Sequence, residues 1–330
     1  LADEREWQLL LHYGVDLFGG VASEEDDEGF FLSPRGKYDP QAELDATIAQ
    51  FFVADPVGRS KQPAQCAFIA RYHWLKERLQ FDPQRLPPLE CGRFDRWRAE
   101  MNPQGVSLIF PAAFMNNPAS MFGHTFFRID QHGQTEQTGL LAYTIDYAAE
   151  LPGDAGFEYA YKGILGAYKG VFSTPPYYLK VQAYRDIENR DMWEYRLNLT
   201  PSQVDRLLMH AWEMGNAYFD YFFFKENCSY HILSLLEYAN PDLRLRDQFY
   251  LWTIPADTVR AIVDYPGLAG APIYRPSRST IIKRKRALLT DDERRLSIGL
   301  MRDPDIAKES SFASLPLLRR ALVLDVASDY

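Results

Sequence analysis

The spacing of hydrophobic and polar positions divides the chain into three regions. Residues 1–104 place apolar side chains at helical intervals, and the pair Asp39-Pro40 is typical of a helix start. Residues 105–240 change to short apolar or alternating runs bounded by turn residues, which predict strands. Residues 241–330 mix short helical segments with polar and basic ones. The pattern therefore predicts an α+β protein with a helical N-terminal region, a core in the middle region and a mixed, mainly helical C-terminal extension.

Individual elements can be placed within these regions. Capping boxes at 200–203 and 290–293 mark two helix starts, and 152–172, with its five glycines, is predicted to be a long ordered loop. The predicted helices also include 7–13, 67–79, 255–265 and 315–327, and the predicted strands are 106–110, 124–130, 139–147, 177–184 and 191–199.

The stretch Tyr221-Phe-Phe-Phe-Lys-Glu-Asn-Cys-Ser-Tyr-His231 carries the most informative chemistry. Its phenylalanines predict a buried strand end, Asn227 a helix N-cap and Cys228 the first helical residue. A thiol there feels the positive end of the helix dipole and unpaired backbone N–H groups, and both favour the thiolate. Cys228 is thus a candidate nucleophile, although a cysteine in an apolar stretch is also a common core residue.

His124 is the best candidate base for this thiol. It follows a glycine, opens a predicted strand and is flanked by an uncharged loop that contains Ser120. A histidine presented by a strand to a cysteine at a helix start is the geometry of papain-like thiol catalysis, in which helix-terminal N–H groups bind the oxyanion. His231, one turn after Cys228, is predicted to lie on the helix face or to line a pocket. The other histidines are predicted to hold ordinary positions: His12 and His73 in helices, His132 in a turn and His210 on an exposed helix.

A third group should orient the imidazole. The predicted return strand offers Tyr143, Thr144 and Asp146, and the register of the hairpin decides which of them faces the histidine. Asp146 is our prediction, because a carboxylate both orients an imidazole and stabilises its cation. Asn227 either caps the helix or donates a hydrogen bond to the oxyanion, and the cap is the simpler role.

Metal binding is the competing chemistry. Cys228, His231 and His124 would make a soft nitrogen and sulfur site, but the Cys-x-x-His spacing is common by chance and no fourth ligand is evident. The glycines between 153 and 170 lack the strand-turn-helix context of a phosphate loop. No metal or other cofactor is predicted.

Composition narrows the class of protein. The net charge of −9 argues against a nucleic-acid partner, and no apolar run approaches the roughly 18 residues of a spanning helix. An aromatic content of 14% fits either a β-rich core or a site for lipid tails or sugar faces. The chain begins at Leu1 without a signal peptide, so it is either a processed export product or a trimmed chain. A disulfide between Cys66 and Cys91 with Cys228 free is the simplest arrangement for an exported enzyme.

Five motifs follow one another along the middle of the chain: Pro118-Ala-Ser-Met-Phe-Gly-His-Thr-Phe-Phe-Arg128, Tyr143-Thr-Ile-Asp-Tyr-Ala148, Lys162-Gly-Ile-Leu-Gly166 with Tyr168 and Gly170, Arg190-Asp-Met-Trp-Glu-Tyr195, and Phe224-Lys-Glu-Asn-Cys-Ser-Tyr230. Together they resemble the Lnb N-terminal periplasmic domain family, which takes its name from a bacterial lipoprotein N-acyltransferase. The resemblance covers roughly residues 60–240. The order of histidine before cysteine also resembles the circularly permuted papain-like superfamily.

The resemblance implies a circularly permuted papain-like core, made of an antiparallel sheet and the helix that carries the cysteine. It implies an acyl-thioenzyme mechanism with Cys228 as nucleophile and His124 as base, working in the periplasm at the outer face of the inner membrane. Position 146 is Asp where many members are expected to have Asn, and either residue can orient a histidine. The motif residues Lys162, Tyr168, Arg190 and Glu194 are expected to be structural ion pairs or substrate contacts.

The leading hypothesis is a periplasmic cysteine acyltransferase or acyl hydrolase that acts on a lipid or lipoprotein at the membrane surface. Tyrosines and phenylalanines from 143–178 and 218–224, including Tyr143 and Tyr147, would line its acyl groove. A peptidoglycan amidase using the same residues is the second hypothesis. A non-catalytic binding or assembly module is the third. A deep apolar channel would favour lipid, and an open polar cleft would favour peptide.

Overall fold

The computed structural model describes residues 1–15, 19–114, 121–135, 137–150, 156–249 and 251–329. The chain forms two compact units. Unit 1 comprises Leu1–Lys180 and Trp193–Ile273, and unit 2 comprises Val181–Met192 and Tyr274–Tyr330. Cys228, His124 and Asp146 all belong to unit 1. The division at residues 104 and 240 stays a prediction.

The chain combines helices and strands, as the α+β prediction requires. The helices are α1 Arg5–Leu10, α2 Pro40–Gln50, α3 Ala64–Ala67, α4 Ile69–Leu79, α5 Gly92–Met101, α6 Gly156–Ile164, α7 Tyr177–Val181, α8 Pro201–Met214, α9 Cys228–Ala239, α10 Pro255–Asp264, α11 Arg278–Ala287, α12 Asp291–Arg302, α13 Ser310–Ala313 and α14 Leu317–Ser328. The strands are β1 Tyr13–Val15, β2 Val21–Ser23, β3 Pro103–Pro111, β4 Phe126–Gln131, β5 Thr144–Ala149, β6 Tyr168–Ser173, β7 Met192–Leu197, β8 Tyr218–Tyr221 and β9 Ile273–Arg275.

A seven-stranded sheet organises the fold. Its strand order is β8-β6-β5-β4-β3-β7-β9, and the pairs from β3 through β4, β5 and β6 to β8 are antiparallel. Helices α8 and α9 pack together and against the sheet, and α1 and α10 pack on α9. Every residue of α9 except Tyr230 is buried, because α1, α8, α10 and the sheet all pack against the helix. The helix that begins at the candidate nucleophile is therefore the centre of the core.

The sequence signals for helix starts and for the disulfide are confirmed. Thr200 and Thr290 each form a capping box, and Asp39 caps α2 through the N–H of Ala42. Cys66 and Cys91 form a disulfide with a Cα–Cα distance of 5.2 Å, and Cys228 is a buried free cysteine.

Several predicted elements are wrong. Residues 152–172 contain helix α6 and strand β6, and the predicted strand at 177–184 is helical, with a π-helical turn at Gln182–Ile187 after α7. Both segments are rich in aromatic side chains, so local composition did not distinguish a helix from a strand or an ordered loop. The return strand begins at Thr144, after a short 3-10 helix at Thr138–Leu141. His210 is fully buried where an exposed position was predicted, because α8 lies between α4 and α9.

Unit 2 has a small core of its own. Helices α12 and α14 pack against each other, and α11 packs on α14. Leu289, Leu300, Phe312, Val323 and Val326 form the buried cluster between these elements.

Candidate active site

Cys228 is the first residue of the central helix α9. It is 1% exposed, and Asn227 is the N-cap of the helix. The Asn227 side-chain oxygen accepts hydrogen bonds from the N–H groups of Ser229 (3.1 Å) and Tyr230 (3.3 Å). The predicted cap is confirmed, and it fixes the orientation of the helix end that presents the sulfur.

The Asn227 amide also ties three segments together. Its Nδ2 donates to the carbonyl oxygen of Phe223 (3.0 Å) and to that of Thr253 (2.6 Å). Both amide hydrogens are therefore used inside the protein, and none is left for an oxyanion. The geometry supports the capping role of Asn227 rather than the alternative role as an oxyanion donor.

His124 and Asp146 meet as the sequence predicts. His124 Nε2 lies 2.8 Å from Asp146 Oδ1, and both side chains are buried. The β4–β5 register pairs Phe127 with Ile145 and Arg128 with Thr144, so Asp146 comes opposite residue 126, on the same face as His124. Thr144 instead donates through its hydroxyl to the carbonyl of Pro175. The register thus selects Asp146.

The sulfur completes the row. Cys228 and His124 share a side-chain hydrogen bond, and the backbone N–H of Thr125 donates to the sulfur. Because Nε2 of the imidazole is engaged with Asp146, Nδ1 is the nitrogen that faces the thiol. The arrangement is a cysteine, a histidine and a carboxylate in line, with the imidazole between the other two groups.

Lys180 is a fourth member that sequence reasoning missed. Its Nζ lies 2.5 Å from Asp146 Oδ2, the carboxylate oxygen that does not face His124. Lys180 lies in α7, within the segment that was predicted to be a strand. A strand there gave no reason to place Lys180 beside Asp146. If 177–181 is taken as a helix, Lys180 lies one turn after Tyr177 and on the same face. That spacing indicates the direction of the Lys180 side chain, but it does not identify Asp146 as its partner.

Electrostatics favour the ion pair of thiolate and imidazolium. Burial opposes a charge on each group, but the Cys228 thiolate and the Asp146 carboxylate together raise the pKa of His124 to about 9. Burial by itself raises the pKa of the Cys228 thiol, yet the His124 cation and the hydrogen bonds to sulfur outweigh it, so the pKa of Cys228 lies below its ordinary value. Burial also opposes ionisation of Asp146, but the charges of Lys180 and then His124 hold its pKa well below its usual range.

The structure places three other predicted site residues, Tyr147, His231 and Tyr168, in the buried core. Tyr147 is on the opposite face of β5 from Asp146, and its ring packs 4.3 Å, centroid to centroid, from that of His231. Both side chains are fully buried in the core, so neither lines a groove. Tyr168 is buried in β6 opposite Tyr221. Ser120 lies outside the described residues.

The remaining motif residues make structural contacts. Tyr143 forms an isolated bridge with Pro176, and Lys162 pairs with Glu158 one helical turn away at 2.8 Å. Glu194 accepts from Arg128 (2.5 Å) and from the Tyr177 hydroxyl (2.7 Å). Within unit 2, Arg190 pairs with Glu188 at 2.9 Å. For Lys162, Arg190 and Glu194 these ion pairs support a structural role, one of the two roles considered for them.

Exposed apolar side chains lie on and next to the segments that precede His124 and Cys228, and we call them the apolar rim. The rim consists of these side chains: Phe122, Ile164, Leu165, Phe224, Leu251 and Trp252. The ring centroids of Phe122 and Phe224 lie 6.0 Å apart. Phe122 is two residues before His124 in the sequence, and Phe224 is four residues before Cys228. The N–H of Thr253 donates to Phe224 (2.7 Å), and that of Phe223 donates to Gly163 (2.8 Å). These bonds bring the residues next to 251–252 and 164–165 into contact with the 222–224 segment.

The arrangement of side chains and helices also bears on metal binding and on membrane spans. Across the described ranges, no group of three or more His, Cys, Asp or Glu side chains is arranged to hold a metal ion. His231 lies in the core and His124 is engaged with Asp146, so the Cys228, His231 and His124 metal site is not assembled. Among the helices of the described residues, none is long and apolar enough to cross a membrane.

Comparison with known families gives two matches along the chain. Residues 93–265, just over half of the chain, match the Lnb N-terminal periplasmic domain. Residues 1–78 match a domain of unknown function (DUF7843). Neither a curated protein nor a solved structure matches the chain. The matched range 93–265 contains His124, Asp146, Lys180 and Cys228.

Proposed function

We propose a function from one premise: the chain belongs to the Lnb N-terminal periplasmic domain family. The proposed activity is cysteine-dependent acyl transfer or hydrolysis on a lipid or lipoprotein ester in the periplasm. The observation that carries it is the alignment of Cys228, His124 and Asp146 at the start of a buried helix. A thiolate beside an imidazolium is the nucleophile and general acid that acyl transfer needs.

In the first half of the proposed reaction, the Cys228 thiolate attacks the carbonyl carbon of the ester and forms a sulfur–carbon bond. The imidazolium of His124 gives its proton to the departing alkoxide, so an alcohol leaves and a Cys228 thioester remains. The backbone N–H of Cys228, at the helix end, is the proposed oxyanion donor, because the cap already uses those of Ser229 and Tyr230.

In the second half, neutral His124 takes a proton from the acceptor, which is an amine for transfer or water for hydrolysis. The acceptor nitrogen or oxygen attacks the thioester carbon, the carbon–sulfur bond breaks, and the thiolate and imidazolium are restored. Asp146 keeps the imidazole oriented through both halves and stabilises its cation. The sequence of steps consumes one ester and one acceptor and leaves the protein unchanged.

The apolar rim supports a lipid as the acyl donor. Trp252 and Leu251 are 63% and 74% exposed, and they lie beside the backbone that Asn227 braces. Clustered exposed aromatic and aliphatic side chains are typical of surfaces that meet lipid or protein. Their position on and next to the segments that precede His124 and Cys228 fits the delivery of an acyl chain to the sulfur.

Cleavage of a cell-wall peptide is the second candidate, and one observation favours it. A cavity of about 670 Å³ lies next to the rim and combines the aromatic rings of Phe249, Trp252 and Tyr265 with Asp257 and Asp264. Aromatic faces next to carboxylates suit a sugar ring, because the ring packs on the aromatic faces and its hydroxyls donate to the carboxylates. This cavity would hold glycan if the substrate were a muropeptide.

Mass spectrometry of the acyl-enzyme tests the proposal. The protein is incubated with a diacyl lipid ester, a diacylated lipopeptide or a muropeptide, quenched in acid and digested under non-reducing conditions. A hydroxylamine-sensitive acyl mass on the peptide containing Cys228, absent in Cys228→Ala, supports the proposal. Cleavage of the muropeptide alone would support the second candidate. No adduct and no product with any substrate, together with an ordinary thiol titration, would favour a binding module.

A further inference from the structure

We propose that Lys180 is a positioning residue that neutralises Asp146, so that the two together act on His124 as a neutral hydrogen-bond acceptor would. The Asp146 carboxylate presents one oxygen to each partner: Oδ1 lies 2.8 Å from His124 Nε2, and Oδ2 lies 2.5 Å from Lys180 Nζ. The inference rests on the Cys228–His124 pair of the proposed function, but it does not depend on the substrate.

The need for a neutralising group follows from burial. Asp146 is 1% exposed, so water does not screen its charge. An isolated buried carboxylate beside the imidazole would hold the proton on His124, and its negative charge raises the pKa of the Cys228 thiol. Such a charge would help the imidazolium but oppose the thiolate. A cation on the second oxygen removes that conflict.

The charges of the four groups then sum to zero. Cys228 and Asp146 each contribute −1, and His124 and Lys180 each contribute +1. Without Lys180 the buried row would carry −1, which is costly in an environment of low polarity. With Lys180 the thiolate and imidazolium are paired in the same way as they would be beside a neutral Asn at position 146.

The structure fixes both the helix that carries Lys180 and the position of its ammonium group. Its helix α7 begins at Tyr177, whose N–H donates to the carbonyl of Ala142 (2.7 Å) and whose hydroxyl donates to Glu194 (2.7 Å). Tyr177 is fully buried, so the start of α7 is fixed to the sheet. The ammonium group also lies 6.0 Å from the ring centroid of Phe126, the residue opposite Asp146. The lysine is therefore oriented by the fold as well as by the carboxylate.

The test is the pH dependence of Cys228 alkylation by iodoacetamide, a neutral reagent, under non-reducing conditions. Lys180→Met is expected to move the thiol and imidazole limbs of the profile to higher pH, by about one pH unit, because a nearby positive charge is lost. Asp146→Asn is expected to move both limbs to lower pH. The double variant, which restores the net charge, is expected to return both limbs to within a few tenths of a unit of the wild type.

Two further variants separate charge from packing. Lys180→Gln keeps a hydrogen-bond donor but removes the charge, and it should shift the profile as Lys180→Met does. Lys180→Arg keeps the charge and should leave the profile near that of the wild type. Shifts of the same sign in Lys180→Met and Asp146→Asn, or a double variant whose shifts add rather than cancel, would overturn the inference. An ordinary wild-type profile that His124→Ala does not alter would instead overturn the proposed function itself.

Discussion

The described part of the chain contains two buried histidine environments that contrast sharply in charge, and both adjoin helix α9. His124 meets the start of the helix, where Cys228, Asp146 and Lys180 supply charged partners. His231 lies one turn further along, where it joins a cluster with His12 and His210. We refer to His12, His210 and His231 as the histidine cluster.

The histidine cluster is packed like a set of aromatic rings. The ring centroids of His12 and His210 lie 5.2 Å apart, and those of His12 and His231 lie 6.0 Å apart. His12 Nε2 contacts the sulfur of Met214 at 3.1 Å. Within the described residues, the other ring nitrogens of all three histidines are buried without a hydrogen-bond partner. Phe219, Tyr147 and Tyr238 supply further ring contacts.

The four histidines are all buried, but the charges around them differ, and so do their pKa shifts. Burial lowers the pKa of all three cluster histidines, and nearby arginines, among them Arg246 and Arg71, lower it further; that of His210 falls to about 3. Burial acts in the same direction on His124, but two anions reverse it and raise the pKa to about 9. The comparison shows that desolvation makes a buried histidine neutral unless the fold supplies a counter-ion. The site is therefore defined by charge placement and not by burial.

The largest expected effect is at the charged end. His124→Ala removes the general acid and the cation that stabilises the thiolate, so the proposed activity should fall about a thousandfold. The pKa of Cys228 should rise, and alkylation at neutral pH should slow accordingly. Initial rates with the substrate that gives an acyl-enzyme, and the alkylation profile, measure both effects. His73→Ala, on the exposed face of α4, is the control; an unchanged profile in His124→Ala would remove the distinction between the two environments.

The second prediction concerns Asn227, the N-cap of α9, the helix that both histidine environments adjoin. Asn227→Asp keeps the acceptor that caps α9 but removes the donors to Phe223 and Thr253, so unfolding free energy should fall by about 2–3 kcal/mol. The new charge beside the sulfur should also raise the pKa of Cys228. Urea denaturation and alkylation measure these changes. Asn240→Asp, at the other end of α9, should cost under about 1 kcal/mol; equal losses would show that the bracing at Asn227 has no special role.

The uncharged cluster gives a test of acid stability. Because the folded pKa of each cluster histidine lies below the ordinary 6.5, the unfolded chain binds more protons there, and stability is lost as pH falls below about 6.5. His210→Leu removes one such group, so the slope of unfolding free energy between pH 6 and 4 should fall by about 1.4 kcal/mol per pH unit. The raised pKa of His124 works in the opposite direction: its contribution is complete below 6.5 and is lost as pH rises toward about 9.

Denaturation at several pH values measures the slope. Arg71, Arg246 and Arg206 are kept unchanged in every variant, because their charges act on His210. His132→Leu, in an exposed turn, is the matched control and should leave the slope unchanged. A slope in His210→Leu equal to that of the wild type would mean that the cluster takes up protons while folded.

The smallest expected effect is at Tyr147. Its hydroxyl is buried and, within the described residues, has no hydrogen-bond partner, so Tyr147→Phe should change unfolding free energy by less than about 1 kcal/mol, with a stabilising sign. Alkylation of Cys228 should not change, because the ring lies on the opposite face of β5 from Asp146. Thermal unfolding and alkylation decide this. A large loss of thiol reactivity would return Tyr147 to the site and contradict its place in the core.

Local sequence determined the parts of the site that depend on neighbouring residues. Asn227 before an apolar helix specifies the cap, and the cap places Cys228 at the helix start, because both effects act within one turn. The capping box at Thr200 and the pairing of Cys66 with Cys91 were likewise readable from spacing. The helix at 156–164 and the helical turn at 177–187 were not, since short amphipathic segments take the conformation that tertiary packing favours.

Tertiary structure alone decided which charges meet. The register of β4 and β5 selected Asp146 over Tyr143 and Thr144, and sequence offered all three. Lys180 reaches Asp146 from α7, 34 positions away, and His12 meets His210 and His231 across 198 and 219 positions. Electrostatic and packing energies depend on distance in space and on the exclusion of water, and neither can be predicted from the order of residues alone.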